Sequence, residues 1–361
     1  MTWTPPPPRP GHPYYMHDAI YAQPGALRLV LRANAPAVAE AAARLRTMDR
    51  ILLVGIGTSW HATLVGELLF ARAGRFGHRA RALHAFEAAN YWPSPDARTG
   101  LVLVSHRGTK RFSLEALAAA DGAAGVRVVV TGKGSGAGVA TADVVLRTVE
   151  QEASAAHTVS YTCALALLAA LAAAVGGDDA LVAALEALPD QVALLLGQEA
   201  WDELAARLDG RRRYWFVGGG PNTATALEAA LKMSEANHAD AIGYNVEQFL
   251  HGPWAALEPD DLLVVVAPPG PTRERSLAAA RVAREVGAPV VALADAADAE
   301  FAALAVATIA LPPVPELLSP IPAVVPLQLL TYHLALRRGV NPDTMRAERP
   351  AHARARARLA L

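Results

Sequence analysis

The chain has 361 residues, 53% hydrophobic and 19% charged, with 33 Lys and Arg against 34 Asp and Glu and a single cysteine. Such a length admits about two domains, and a net charge of −1, with no basic face in the first 340 residues, argues against nucleic acid. One cysteine, Cys163, excludes an internal disulfide framework and any cysteine metal cluster.

Met1–Pro13, MTWTPPPPRPGHP, is proline-rich and poor in backbone donors, so it is predicted to be disordered; it does not read as a signal peptide. Residues 14–49 turn helical, with Ile20, Leu27, Leu31 and Val38 on one face, and Pro24 and Pro36 are predicted to break that helix into shorter pieces. In residues 50–176 the predicted strands are Ile51–Gly55, Leu101–Ser105, Val126–Thr131 and Val144–Thr148, separated by helical stretches. That alternation predicts a parallel sheet with helices on both faces. No apolar run reaches the roughly 18 residues of a membrane span; Cys163–Val175 reads as a buried helix. A helical connector is expected over 177–209. Residues 210–340 then repeat the alternation, with strands at Tyr214–Val217, Leu262–Ala267, Pro289–Ala294 and Ala307–Leu311 and a helix from Pro326 to Arg338. The tail, 341–361, is arginine-rich and aperiodic, expected to be solvated or packed on a partner subunit. A soluble, cytoplasmic protein is the natural expectation.

The two alternations answer each other. Ile51–Leu69 (ILLVGIGTSWHATLVGELL) and Tyr214–Lys232 (YWFVGGGPNTATALEAALK) are each a strand, a glycine turn and a helix. Val54 and Val217 stand 163 positions apart, and Gly108 and Gly270 stand 162 apart, so two motifs stay in step. A period that long is no solenoid; it predicts two copies of one α/β domain.

Ligands of doubly wound sheets sit beyond the carboxyl ends of the strands. There the first copy places Gly57-Thr58-Ser59 and Ser105-His106-Arg107-Gly108-Thr109-Lys110, whose hydroxyls, amides and helix start suit an anion. The second copy has Gly218-Gly219-Gly220-Pro221-Asn222 and Ala267-Pro268-Pro269-Gly270, where prolines remove donors, so it reads as a degenerate partner. Glu228, Lys232 and Glu235 fall at i, i+4 and i+7 on one helix face, ordinarily a solvated face with an ion pair. Glu247 precedes an irregular loop, Phe249-Leu250-His251-Gly252-Pro253, on which His251 is either functional or a structural or surface histidine. His61, His106 and His157 fall in first-copy loops, where they either meet a ligand or cap turns. No histidine–carboxylate spacing suggests zinc, and no cofactor is expected.

Taken in order, the motifs resemble the double sugar-isomerase (SIS) domain family, in particular the isomerase half of glutamine–fructose-6-phosphate aminotransferase and its stand-alone deaminase and deglycase relatives. Met16-His-Asp-Ala-Ile20-Tyr21-Ala-Gln23-Pro24 resembles the entry segment M-x-x-x-I-Y-x-Q-P, and Gly57-Thr58-Ser59 the G-T-S loop. Glu228-Ala-Ala-Leu-Lys232-Met-Ser-Glu235 is similar to E-G-A-L-K-x-x-E, followed by His251-Gly252-Pro253. Leu318-Ser-Pro320 and Pro326-Leu-Gln-Leu-Leu330-x-Tyr332-His333 resemble the late L-S-P and P-L-Q-L-L-x-Y-H segments. The resemblance implies two tandem SIS domains, each a flavodoxin-like three-layer sandwich, acting on a phosphorylated amino- or keto-sugar by isomerisation coupled to deamination or deglycation. It implies Glu235 as the base, Lys232 as a cation touching substrate and His251 as a ring-opening group reaching the other subunit of a homodimer. Gly57, Thr58, Ser59, Ser105, His106, Arg107, Lys110, Thr158, Glu228 and Glu247 would line the substrate. Three differences stand out: the loop S-Q-S-G-E-T reads Ser105-His106-Arg107-Gly108-Thr109-Lys110, no lysine follows Lys232, and no glutaminase half is present in this sequence. The competing expectations are a non-catalytic sugar-phosphate sensor and a transaminase subunit fed by a separate glutaminase.

Overall fold

The computed structural model describes residues 4–198 and 200–359, so the first three residues of the proline-rich start and the last two of the tail lie outside the described residues. Two helices lead in, the short α1 (Tyr15–Tyr21) and the long α2 (Gln23–Leu45). The first half then contains β1 (Arg50–Gly55), α3 (Thr58–Arg72), β2 (Ala80–His84), α4 (Ala85–Asn90), β3 (Thr99–Val104), α5 (Arg111–Ala119), β4 (Val126–Thr131), β5 (Val144–Arg147) and α6 (Val159–Gly176). Helices α7 (Asp179–Leu196) and α8 (Trp201–Leu208) connect it to the second half. That half has β6 (Tyr214–Gly218), α9 (Asn222–Lys232), β7 (Ala241–Asn245), α10 (Val246–Leu250), β8 (Leu262–Ala267), α11 (Arg273–Val286), β9 (Val290–Ala294), α12 (Ala299–Leu304), β10 (Ala307–Ala310) and α13 (Pro320–Arg337). Helix α14 (Pro350–Ala357) ends the chain.

The sheets run β2-β1-β3-β4-β5 and β10-β9-β8-β6-β7, every pair parallel. Both therefore have one strand order, that of flavodoxin-like doubly wound sheets. The central strands are buried end to end, as in β3 and β8, which is why they read as unbroken apolar runs. The edge strands β2 (ARALH) and β7 (AIGYN) escape sequence reading because they are short and half-exposed; backbone pairing to β1 and β6 makes them strands. In each half a glycine closes the strand–helix turn: a Cβ at Gly55 would stand 2.5 Å from Ser59 O, and one at Gly218 2.3 Å from Asn222 O.

Three expectations change. Pro24 does sit in the first turn of α2, but Pro36 lies inside an unbroken α2. The face carrying Leu27, Val30, Val38, Ala41, Ala42 and Leu45 is buried along α6 and α7, and that burial outweighs the one hydrogen bond a mid-helix proline removes. Helix α6, with mean hydropathy 2.0, and the stretch Glu316–Arg337 are long and apolar enough to cross a membrane; 83% of α6 and 89% of the most apolar 18-residue window of the second stretch are buried inside the protein. The tail is not aperiodic: alternating Ala and Arg, both strong helix formers, build the exposed helix α14.

The chain ends are tied together. Described residues 4–13 form no helix or strand, yet His12 Nδ1 lies 2.7 Å from Tyr332 Oη and Arg9 pairs with Asp18 at 2.7 Å. The buried Asp343 carboxylate accepts from Tyr15 N at 2.8 Å and Met16 N at 2.9 Å, capping α1 from more than three hundred residues away. Asp343→Ala is expected to lower unfolding stability by about 0.5–2 kcal/mol, the usual loss for a helix cap, as urea denaturation would read; an unchanged midpoint would mean that water replaces the cap at no cost.

Candidate active site

Helix α3 of the first half packs on α9 of the second, and the contact is organised around carboxylates and a lysine. Thr58 Oγ1 donates to Glu228 Oε1 at 3.1 Å, and His61 Nδ1 donates to Glu228 Oε2 at 2.6 Å. Lys232 Nζ lies 3.4 Å from Glu228 Oε1 and hydrogen-bonds Glu235 Oε2. Glu228 and Lys232 are fully buried, so the expected solvated face is overturned. Glu235 sits in a π-helical turn, Met233–Asn237, that extends α9. This wider turn moves it off the regular helical register, and its side chain keeps 16% exposure. Such turns recur at functional sites.

Burial pushes the Glu228 carboxyl up, but Lys232, His61 and Thr58 outweigh that and hold it below the usual range. Burial lowers Lys232, and the two carboxylates more than reverse it, so its ammonium is held charged. Glu235 is left above the usual range, raised first by burial and also by Glu228, against the pull of Lys232.

The second group of residues lies at the ends of β3 and β4. Thr58, Ser59, His106, Thr131, Thr148, His157, Ser160 and Tyr161 wall a small cavity. Gly57 turns the chain into α3 at φ +59°. Ser105 is buried beyond β3, with its carbonyl accepting from Thr131 Oγ1 at 2.7 Å. His106 and His157 meet edge to face, with ring centroids 5.0 Å apart. Burial and Arg107 hold His106 down at about 4, and its Nε2 accepts from Glu152 N at 3.3 Å. His106 thus stands on the cavity wall with its charge suppressed by burial. Arg107 and Lys110 are half-buried, and Arg356 of α14 stands within electrostatic range of both. Burial, then these neighbours, lowers both side chains, with Glu152 opposing at Arg107. His157 lies between the groups: burial lowers it, followed by His106, Lys232, Arg107 and Lys110.

Some expected residues lie elsewhere. Thr158 is fully buried and gives its hydroxyl to Glu152 Oε2 at 3.3 Å, so its neighbours His157 and Ser160 hold the cavity wall instead. His251 and Glu247 form an exposed pair, 2.9 Å apart, that Arg275 joins at 2.5 and 3.0 Å; among the described residues neither has a hydrogen bond or ion pair to Glu235. His61, left open between ligand and turn cap, is on α3 and orients Glu228. Its place one turn beyond Thr58 was the available signal. Ser160 and Tyr161 lie inside an apolar helix, with no pattern to mark them. Among the described residues no group of histidines and acids could hold a metal.

At the corresponding loops of the second half the polar groups engage one another around an open cleft of ≈ 470 Å³. The Glu316 carboxylate lies against Gly220 and Gly270, 3.1 Å from where a Cβ on Gly270 would stand. Arg273 is clamped by Asp298 at 2.6 and 2.8 Å and by Glu300 at 2.9 Å.

Lys232→Met would leave two buried carboxylates facing each other. The variant is expected to lose about 3–5 kcal/mol of unfolding stability at neutral pH. With its carboxyls raised above their unfolded values, it should regain stability as pH falls and protonation removes the repulsion. Denaturant midpoints across pH 4–8 test this, and a pH-independent loss would place the defect in packing instead.

Comparison with known proteins places these features in context. Residues 208–338 match the family model described as SIS domain. The glutamine–fructose-6-phosphate aminotransferase (isomerizing) of Thermococcus kodakarensis is 34% identical over 348 residues, covering 93% of this chain and 57% of that protein. The enzyme of that name from Methanothermobacter thermautotrophicus is 31% identical over 335 residues, with 92% and 56% covered. The chain thus spans a little over half the length of these relatives. Among solved structures, the C-terminal domain of glucosamine-fructose-6-phosphate aminotransferase from Francisella tularensis superposes with TM-score 0.80 at 20% identity, covering 92% of this chain and 99% of that one. Tagatose-6-phosphate ketose/aldose isomerase from Escherichia coli gives 0.79 at 21%, with 95% and 97% covered. Glucosamine-6-phosphate deaminase from Thermotoga maritima gives 0.72 at 20%, with 91% and 97% covered. At such identities the structures show a shared fold.

Proposed function

Since this chain is a SIS-domain protein through residues 208–338, we propose that it is a sugar-phosphate isomerase-type enzyme acting on a phosphorylated amino- or keto-sugar, and that its first half is a second SIS domain. The carrying observation is the buried Glu228–Lys232–Glu235 group, in which one carboxylate is charged and locked while the other is raised and reaches an open edge. Moving a proton between adjacent carbons of an open-chain sugar needs one carboxylate that can take and return it. Burial suits Glu235 to that task. Lys232, held charged, would stabilise the negative oxygen of the enediol as it forms; Glu228, oriented by Thr58 and His61, keeps Lys232 in place. The start of α3, Ser59 and Ser105 would hold the phosphate with Arg107, Lys110 and Arg356. For a substrate bearing nitrogen on C1 or C2, the same proton transfer would pass through an enaminol to an imine, and water adding to that imine would release the amine and leave a carbonyl.

A sensor has no use for a proton-shuttling carboxylate, so Glu235→Gln separates the two readings. Turnover of glucosamine 6-phosphate or fructose 6-phosphate should fall about 10²–10⁴-fold with binding nearly retained, and full activity would remove the enzyme reading. In the unsubstituted protein the rate should rise with pH through a value above the ordinary glutamate range, because the base acts deprotonated and its proton is held up by burial.

His251 supports a homodimer with shared sites. It is 70% exposed, far from being buried beside Glu235, and near it Trp254 shows an apolar ring to solvent. Mixing Glu235→Gln with His251→Ala subunits should restore one intact site per mixed dimer, hence up to about half the activity per dimer by counting C2 sites. No recovery after verified subunit exchange would assign both residues to one chain's site.

A further inference from the structure

Several polar groups on the wall of the first-half cavity are committed within the protein. Thr58 donates to Glu228 and Thr131 to the Ser105 carbonyl, while His106 is engaged through both nitrogens, with Glu152 N and with Thr148 Oγ1 at 3.4 Å. His157 stands on the same wall, and among the described residues its ring makes no hydrogen bond or ion pair. The ring is nonetheless oriented, by its edge-to-face contact with His106 at an interplanar angle of 76°. The backbone around it is braced as well. Residues 152–158 form neither helix nor strand. The buried Glu152 carboxylate gathers them by accepting from Thr158 N at 3.0 Å, Ser160 N at 2.9 Å and Thr158 Oγ1 at 3.3 Å. Burying a carboxylate to brace one loop is costly, and that loop presents an uncommitted, oriented ring to the cavity, as recognition requires.

Charge and place decide what that ring can meet. Burial lowers His157, followed by His106, Lys232, Arg107 and Lys110, so it is neutral, with one nitrogen that donates and one that accepts. An anionic group can use only the donor and an ammonium only the acceptor, whereas hydroxyls use both. As to place, His157 shares its wall with Thr58 and Ser59 at the start of α3. It lies within electrostatic range of Arg107 and Lys110 on the phosphate side and of Lys232 on the side of the proton-moving carboxylate. An open-chain hexose phosphate bound between those two groups places its middle carbons, C3 and C4, opposite His157.

We infer that His157 is the specificity-determining residue for the middle of the sugar chain, its ring nitrogens hydrogen-bonding the hydroxyls at C3 and C4 and so reading their configuration. The inference rests on the proposal above that the first-half loops hold the phosphate and Glu235 faces the reacting carbons.

The test is calorimetric titration of the full chain with fructose 6-phosphate, its C3 epimer psicose 6-phosphate, its C4 epimer tagatose 6-phosphate, and inorganic phosphate. One of the three sugars should bind about 10–100-fold more tightly than an epimer, because the wrong configuration leaves a buried ring nitrogen unpaired. His157→Phe, which keeps the ring and removes both nitrogens, should bring that ratio close to one with affinity for inorganic phosphate unchanged. His157→Gln, which keeps a donor and an acceptor, should retain part of the preference; it also covers the case of His157→Phe failing to fold, judged by its melting curve. Equal affinity of the unsubstituted chain for all three sugars, or a full preference surviving in either folded variant, overturns the inference. So does a loss in His157→Phe that is equal for the sugars and inorganic phosphate, which would put the ring on the phosphate. In those cases the sugar-phosphate reading stands; if none of the sugars binds, that reading falls and the inference with it.

Discussion

A lysine ammonium taken wholly out of water is stable only when it is matched, and most of this molecule's arrangement follows from matching Lys232. Removing one such ion from water costs several kcal/mol even after relaxation, so Glu228 and Glu235 must both stay within reach. Glu228 in turn is buried and needs donors, which Thr58 and His61 bring from the other half of the chain. The α3–α9 contact is therefore both the joint between halves and the frame of the site. The pairing divides labour between two carboxylates: the one with three partners stays charged, and the one at the edge keeps its proton more readily.

Two halves with one strand order have reached opposite electrostatic states at equivalent loops. In the first, the hydroxyls of Thr58, Ser59 and Thr131 line a cavity at the strand ends, and the half-buried Arg107 and Lys110 follow β3. In the second, Glu316 lies on the glycine loops and Arg273 is saturated by acids. A sheet end attracts an anion through donors that can turn to it, and in the second half the arginine at that end is already saturated by acids. The glycine turns survive in both, because Gly55 and Gly218 answer to backbone crowding and not to a ligand.

The chain ends complete the picture. Asp343 anchors the tail on α1, and that anchor sets where residues 344–357 run. From it Arg356 approaches the loop of Arg107 and Lys110 while Arg346 and His352 close a cleft at Glu235. A tail of alternating alanine and arginine would be unremarkable solvated helix elsewhere; its meaning here is positional.

The central strands, the two parallel sheets and the glycine turns were legible in the sequence, because each is governed by local chemistry: unbroken apolar runs for strands buried on both faces, and glycine where a Cβ would strike backbone. The ordered motifs also pointed to Thr58, Ser59, Ser105, Glu228, Lys232 and Glu235. What tertiary structure alone decided were the properties that depend on partners distant in sequence. Helical spacing put Glu228, Lys232 and Glu235 on one face but could not say that the face is buried, since the burial comes from α3, some 170 positions away. Edge strands β2 and β7 exist through pairing, and Pro36 is tolerated through packing on α6. Basic residues at 106, 107 and 110 look alike in sequence, yet burial makes His106 neutral while Arg107 and Lys110 stay cationic beside a tail arginine. Periodicity reports what a segment does to its own backbone; charge state and reach are set by whatever the fold places against it.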